Sequence, residues 1–425
     1  MKKYKIVMLG EKDHGKSTLL ANLLIASKSV SEERINEVKE VSKKNSTRFE
    51  PAYILDAFSE ERSRGMTIDT TRADISYKNS IFELIDVPGH LELIKNMMTG
   101  ASDSEMAIVV VSAKKDEGFK PETKRHLFIA MMFNVKAIIV VVNKLDESGY
   151  NKELFEKIKE QVIGYINKIN PSITAVAIPI SAYNNENLIS KSKNIKWSNE
   201  KSLMETIDSL KDKIESDIKI NNKHKKGKDT QIRILIQDII QHKGQVVFGI
   251  DYSGKIKKKD KVKILPENIT AIVKSVSSTT STNTQDSNGI QKIKNISIRF
   301  DREIDIKRGD IIYDMHSMPT YTKRFRAEIF AINAIDISKN IEKIRVVLNN
   351  NDKKIISMKI LSTLSPITGK KISKNSNNKI IPNTYVNAEI TLNSDYPMEK
   401  FSTFEDLGRF LIFVGDRFSG IGKIK

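Results

Sequence analysis

The chain has 425 residues, with 71 Lys and Arg against 53 Asp and Glu, a formal charge of +18, and no cysteine. Disulfides and thiolate metal centres are therefore excluded, and a chain this long divides into about two to four domains rather than one core. The charge permits a polyanion partner such as RNA, while the abundant Lys, Ile and Asn of an AT-rich genome would write the same excess into solvated faces.

No apolar run approaches the roughly 18 residues of a membrane helix. The basic start Met1, Lys2, Lys3 enters a strand and a glycine loop before any signal-length apolar stretch. A cytoplasmic chain without membrane contact is expected. The apolar run Ile6, Val7, Met8, Leu9 leads into Gly10, Glu11, Lys12, Asp13, His14, Gly15, Lys16, Ser17 and Thr18, and then into a helix-forming stretch. Gly10, Gly15, Lys16 and Ser17 fit the spacing G-x-x-x-x-G-K-[ST] between strand and helix, which marks a phosphate-binding loop. Side chains at the two glycines would obstruct the backbone N–H groups that face the phosphates. Lys16 is expected to reach the β- and γ-phosphates, and the Ser17 hydroxyl to hold Mg²⁺.

Residues 28–65 are polar, with a helix-like segment at 32–41. Thr67 follows in a loop, where a hydroxyl can join Mg²⁺ and a backbone group can hold the attacking water. The strand at 81–85 runs into Asp86, Val87, Pro88, Gly89 and His90. A carboxylate at a strand end beside the phosphate loop can hold Mg²⁺ through water, Gly89 allows close approach to the γ-phosphate, and His90 is positioned to orient the hydrolytic water. Strands at 106–111 and 137–142 follow, the second feeding Asn143, Lys144, Leu145 and Asp146. The Asp146 carboxylate can accept from N1 and the 2-amino group of guanine, a donor pair that adenine lacks, so it selects GTP over ATP. Lys144 would cover the base, Asn143 would tie this loop to the phosphate loop, and the strand at 175–180 delivers Ser181 and Ala182 to the guanine oxygen. Helices are expected at 122–133, 152–169 and 203–214.

The pattern over 1–218 predicts an α/β P-loop G domain with a doubly wound, mostly parallel sheet. Residues 219–230 read as a basic linker. Short β-branched strands then predict two β-barrel domains, 231–317 and 318–425, with a Ser/Thr/Asn loop at 279–288.

The motifs Gly10-x-x-Asp13-His14-Gly15-Lys16-Ser17, Gly65-Met66-Thr67, Asp86-x-Pro88-Gly89-His90 and Asn143-Lys144-x-Asp146, with two barrels after them, resemble the translation-factor class of GTPases. Two branches share the long insertion before Thr67: elongation factor 1-alpha and the GTPase subunit of sulfate adenylyltransferase. The stretches 121–126, 143–157 and above all 301–310 are similar to the sulfate branch, whereas the Asp13-His14 pair follows the translation-factor spelling. The resemblance to the sulfate branch is taken as the main reading and implies GTP hydrolysis to GDP, with Mg²⁺, coupled to adenylyl sulfate formation on a small catalytic subunit in a hetero-oligomer. The resemblance to elongation factor 1-alpha is the alternative and implies delivery of aminoacyl-tRNA to the ribosome. Two departures stand out: Lys12 replaces a common valine, and Asn185, Glu186 and Asn187 replace the usual Gly-Asp-Asn.

Overall fold

The computed structural model describes residues 2–44, 53–55, 71–86, 104–132, 135–224, 231–252, 256–278, 294–372 and 378–425. Thr67, the run Val87, Pro88, Gly89 and His90, and the loop at 279–288 lie outside the described residues. The chain divides into two units, Met1–Asp217 with Pro366–Gly369, and Ile218–Ser365 with Lys370–Lys425.

In the first unit, strands β1 (Lys2–Gly10), β2 (Thr71–Tyr77), β3 (Ser80–Asp86), β4 (Met106–Ser112), β5 (Ala137–Asn143) and β6 (Thr174–Pro179) form one sheet. Its order is β2-β3-β1-β4-β5-β6, antiparallel only between β2 and β3. β4 and β5 are apolar along almost their whole length and buried at every position, because helices cover both faces of a parallel sheet. The helices are α1 (Lys16–Ala26), α2 (Glu32–Lys44), α3 (Pro121–Met132), α4 (Lys152–Ile169) and α5 (Leu203–His224). Asn151 starts α4 by accepting from Leu154 N at 2.7 Å, and Phe155, Ile158, Val162 and Ile166 supply its apolar stripe. β1 has β3 on one side and β4 on the other, so the strand order reverses there. The crevice beyond the carboxyl end of such a reversal is where doubly wound sheets take ligands. α5 continues through His224, six residues into the stretch read from sequence as linker. The β2 edge strand was not anticipated.

The second unit holds two closed barrels. Strands β7 (Arg233–Gln241), β8 (Gln245–Asp251), β9 (Lys261–Leu265), β10 (Ile269–Ser278), β11 (Lys294–Phe300) and β12 (Ile311–Asp314) close in the order β10-β11-β8-β7-β12-β9. The other barrel closes as β13-β18-β16-β15-β19-β20, from β13 (Thr320–Ala331), β15 (Ile344–Leu348), β16 (Asn351–Leu364), β18 (Thr384–Met398), β19 (Arg409–Val414) and β20 (Arg417–Ile424). A short pair, β14 (Ile335–Asp336) and β17 (Lys379–Ile380), comes from the β13–β15 and β16–β18 connections. Each barrel buries the inward half of its alternating pattern, Ile234, Val247, Ile264 and Ile298 in the first, and Ile329, Val346, Ile390 and Ile412 in the second. The fold class read from the sequence, a P-loop α/β domain followed by two β-barrels, is the one observed.

The barrels share a buried seam. Leu235, Leu265, Ile311 and Tyr313 pack with Leu407. Across the same seam Arg233 Nε donates to Glu399 Oε1 at 2.5 Å, while its guanidinium lies over the rings of Tyr313 and Phe404 at 4.6 and 5.0 Å. Burial pushes the Glu399 carboxyl up and Arg233 pulls it back.

Asp310, immediately before β12, is fully buried; its Oδ2 accepts from Lys307 N at 2.9 Å, and its Oδ1 has no hydrogen-bond partner among the described residues. Burial pushes this carboxyl up to about 6, against the pull of Lys307. An unfolded Asp titrates near 4, so between about pH 4 and 6 only the folded chain keeps the proton and stability falls as pH rises. Above that window the buried charge costs on the order of 3 kcal/mol. Asp310→Asn should therefore raise the urea midpoint at pH 7.5, with the gain fading by pH 4. An equal gain at both pH values would disprove this account.

Candidate functional site

The loop between β1 and α1 is shaped by its two glycines. Gly10 has φ 145°, and a Cβ there would sit 2.5 Å from the Val110 carbonyl oxygen on β4. Gly15 has φ 88°, and its Cβ would strike the Asn143 side chain. Both positions forbid a side chain, and the chain turns tightly enough for Gly15 O to accept from Leu19 N at 2.9 Å and open α1. The N-terminus of α1 has no side-chain cap and no acid in its first turn, so its N–H groups and dipole remain available to an anion. Lys16 Nζ folds back on the loop, donating to Gly10 O at 3.1 Å and Glu11 O at 2.9 Å. Lys12, Asp13 and Ser17 are exposed, and Thr18 is half-buried.

His14 is placed differently from the rest of the loop. Its ring is buried, with Nδ1 3.2 Å from Val110 O, and burial holds its pKa below the usual imidazole range, so it is neutral at pH 7. The backbone of His14, rather than its ring, serves the site. Asn143 Nδ2 donates to His14 O at 2.9 Å while Asn143 Oδ1 accepts from Ala182 N at 2.9 Å. Asn22 Nδ2 on α1 completes the tie by donating to Ala182 O at 2.5 Å. One buried amide thus joins the ends of β1, β5 and β6.

Beside this knot lies a cavity of about 290 Å³ lined by Gly15, Thr18, Asn143, Lys144, Asp146, Glu147, Ala182 and Tyr183. Asp146 sits in the 3₁₀ helix Leu145–Ser148, and its buried Oδ1 has no hydrogen-bond partner among the described residues. A buried carboxylate oxygen without a donor fits a ligand N–H, since leaving it unmade costs about 1–3 kcal/mol. Ser181 Oγ accepts from Asn184 N at 3.2 Å and its backbone pairs with Glu186, so this hydroxyl shapes the turn. Asn185 takes φ 59°, a left-handed conformation that Asn tolerates best after Gly, which explains how it can stand where glycine is usual.

Asp86 closes β3 in register with Met8 of β1 and Thr71 of β2, at the carboxyl end of the sheet. Its carboxylate and the Ser17 hydroxyl are hard oxygen donors of the kind Mg²⁺ takes. Glu147 and Tyr183, which line the cavity, Asn22, which holds Ala182 O, and Glu117, which accepts from Lys144 Nζ at 2.9 Å, are not among the residues the sequence motifs single out. Tyr183 directly follows Ser181 and Ala182, and that adjacency was the available signal; nothing in the spacing points to Asn22 or Glu117.

Asn143→Ala would leave His14 O and Ala182 N unpaired in a buried place, for a cost of about 2–4 kcal/mol. The thermal midpoint of the first unit should fall by several degrees. Asn143→Asp, which keeps the acceptor for Ala182 N but sets a carboxylate against His14 O, should be as damaging; a neutral result for both would remove the knot from this account.

No helix among the described residues is long and apolar enough to cross a membrane. Residues 1–246 match the model of the elongation factor Tu GTP-binding domain. Elongation factor 1-alpha of Aeropyrum pernix is 32% identical over 438 residues, spanning 98% of this chain and 95% of the relative. That of Hyperthermus butylicus is 33% identical over 437 residues, spanning 98% and 94%. The GTP-bound GTPase-like domain of Ski7 from S. cerevisiae shares the fold, with a TM-score of 0.56 at 18% identity over 100% of this chain and 97% of that one. The chain belongs to the elongation factor Tu GTP-binding domain family and is a GTPase of the translation-factor type.

Proposed function

We propose that this protein is an elongation factor 1-alpha-like translation factor, which binds GTP and GDP with Mg²⁺ and in its GTP form delivers aminoacyl-tRNA to the ribosome. The observation that carries the reading is similarity to elongation factor 1-alpha over 98% of the chain, both barrels included. It favours this partner over the small subunit of sulfate adenylyltransferase. The stretch 301–310, which leans towards the sulfate branch by sequence, has structural duties within its barrel. Asp301 Oδ1 accepts from Ile272 N at 3.0 Å, Gly309 N donates to Ile236 O at 2.9 Å, and Ile236 N donates to Asp310 O at 2.9 Å. Such closures serve any partner.

In this reading residues 10–18 cradle the phosphates with backbone N–H groups, and Lys16 exchanges its two loop carbonyls for phosphate oxygens. Ser17, Asp86 and Thr67 hold Mg²⁺, which neutralises charge on the phosphates when bound. By the family resemblance Gly89 would let the backbone near the γ-phosphate, His90 would orient the attacking water, and Val87 and Pro88 belong to the same motif. Asp146 accepts two N–H groups from guanine, Lys144 covers the base, and Ser181 and Ala182 face the guanine oxygen.

Calorimetry should therefore detect GTP and GDP binding but ATP weaker by roughly 10²-fold or more, the cost of an unpaired buried carboxylate. Asp146→Asn should move preference towards xanthine nucleotides. Lys16→Ala should damage binding, whereas His90→Ala should leave binding near normal and lower stimulated hydrolysis. Comparable ATP affinity at this site would sink the nucleotide assignment.

The partner is tested separately. The GTP form should retain aminoacyl-tRNA in preference to deacylated tRNA at a salt concentration where the charge-driven attachment of a +18 chain is screened. GTP-dependent stimulation of an adenylyltransferase small subunit, with no discrimination between the two tRNA forms, would instead favour the sulfate branch.

A further inference from the structure

The guanine loop carries a lysine whose ammonium does not reach solvent freely. Lys144 lines the cavity and takes φ 61°, a left-handed conformation at the start of the 3₁₀ helix Leu145–Ser148. Its Nζ donates to Glu117 Oε2 at 2.9 Å, and both side chains are about one-fifth exposed, at 19% and 21%. Glu117 comes from a different strand end, the turn after β4. Glu117 N donates to Lys114 O at 3.2 Å and Gly118 N to Ser112 O at 3.2 Å, which fixes that turn on β4. The Ser112 hydroxyl also accepts from Lys114 N at 3.1 Å. Burial would push the Glu117 carboxyl up, but its hydrogen bonds with Ser112 and Lys144 outweigh this and hold it below the usual range. Glu117 is therefore an anion at neutral pH, clamped from both sides.

We infer that Glu117 is a positioning residue for guanine: by pinning the Lys144 ammonium it holds the lysine stem rigid as one wall of the base cavity. The Cα of Lys144 is set by the left-handed turn and its Nζ by Glu117, so the four methylenes between them lose most of their rotamer freedom before any ligand arrives. Without the pin the ammonium would prefer water, and nucleotide binding would have to order a long side chain. Arg and Lys side chains immobilised at an interface typically cost a factor of roughly two to twelve in affinity, and preorganisation removes that cost. The neighbouring pair Lys114 to Glu147, at 3.4 Å with both side chains about half exposed, cannot do the same, since solvent screens it.

This inference rests on the guanine-site reading above, and the experiment keeps the two apart. Release of a fluorescent GDP analogue is measured for the full chain, for Glu117→Gln, for Lys144→Met, and for the double variant. Glu117→Gln should speed release roughly three- to ten-fold. Lys144→Met should speed it at least as much, and the double variant should match Lys144→Met alone, because the glutamate acts only through the lysine. Competition by inorganic pyrophosphate, which has no base, should be the same in the wild type and in Glu117→Gln; a general loosening of the fold would weaken it as well. Should Glu117→Gln fail to fold, Glu117→Asp withdraws the carboxylate by one methylene and should give a smaller acceleration in the same direction. Strictly multiplicative effects in the cycle, or unchanged release in either Glu117 variant, would overturn the positioning role. A wild-type chain that does not bind the analogue at all would instead overturn the guanine-site reading.

Discussion

The nucleotide-facing half of the first unit hangs on one side-chain amide. Asn143 spends its donor on His14 O and its acceptor on Ala182 N, so loops that are far apart in the chain share a single planar group with no rotational play. The close approach it needs explains the bare Cα at Gly15, because a methyl there would overlap the same amide. Asn22 then fixes the far side of Ala182. Phosphate loop, guanine loop and the turn after β6 become one rigid rim. A rim of this kind can carry a buried carboxylate oxygen, such as that of Asp146, that has no partner among the described residues, without collapsing on it.

A different economy holds the second unit together. Its barrels are each closed and could bury their cores alone, but the seam between them contains a charged pair, Arg233 and Glu399, removed from water. The attraction at 2.5 Å competes with the desolvation of both ions, and the upward push on Glu399 shows that desolvation is not fully offset by charge alone. The aromatic faces of Tyr313 and Phe404 supply what water would otherwise supply to the guanidinium. A greasy seam would bind as well without choosing a register. An ion pair with one geometry makes the mutual orientation of the barrels specific.

Strong periodicity made most of the fold legible. Lys152–Ile169 has an apolar stripe and a capping Asn151, and β4 and β5 are nearly continuous apolar runs. Other elements lack such a signal. β2 is an edge strand that turns Arg72, Asp74 and Ser76 away from buried Ala73 and Ile75, over too few residues to stand out. β20 resembles a turn because of Gly420 and Gly422, yet both mark close approach, to the Phe330 carbonyl oxygen and the Phe410 ring. The run from Leu203 continued as helix beyond its apolar period, and so a polar stretch was read as linker. Around the cavity, motif spacing singled out Gly15, Thr18, Asn143, Lys144, Asp146 and Ala182, which line it. It could not tell that His14 turns its ring into the protein, since that depends on Val110 from another strand.

The same limit explains why Glu117 was invisible. In a chain with 71 Lys and Arg and 53 Asp and Glu, an acid and a lysine 27 positions apart carry no information as a pair. Most such pairs are solvated and contribute almost nothing, as with Lys3 and Asp74, each close to half exposed. Lys16 and Lys144 both give up solvent: one folds onto two carbonyls of its own loop, and the other onto a carboxylate held by a neighbouring strand end. A strongly basic surface says little about which cations act. Burial of the ammonium on a fixed partner marks a held lysine, as at Lys144 and also at Lys211, whose side chain is 13% exposed against Asp208; what sets Lys144 apart is that it also lines the cavity beside Asp146.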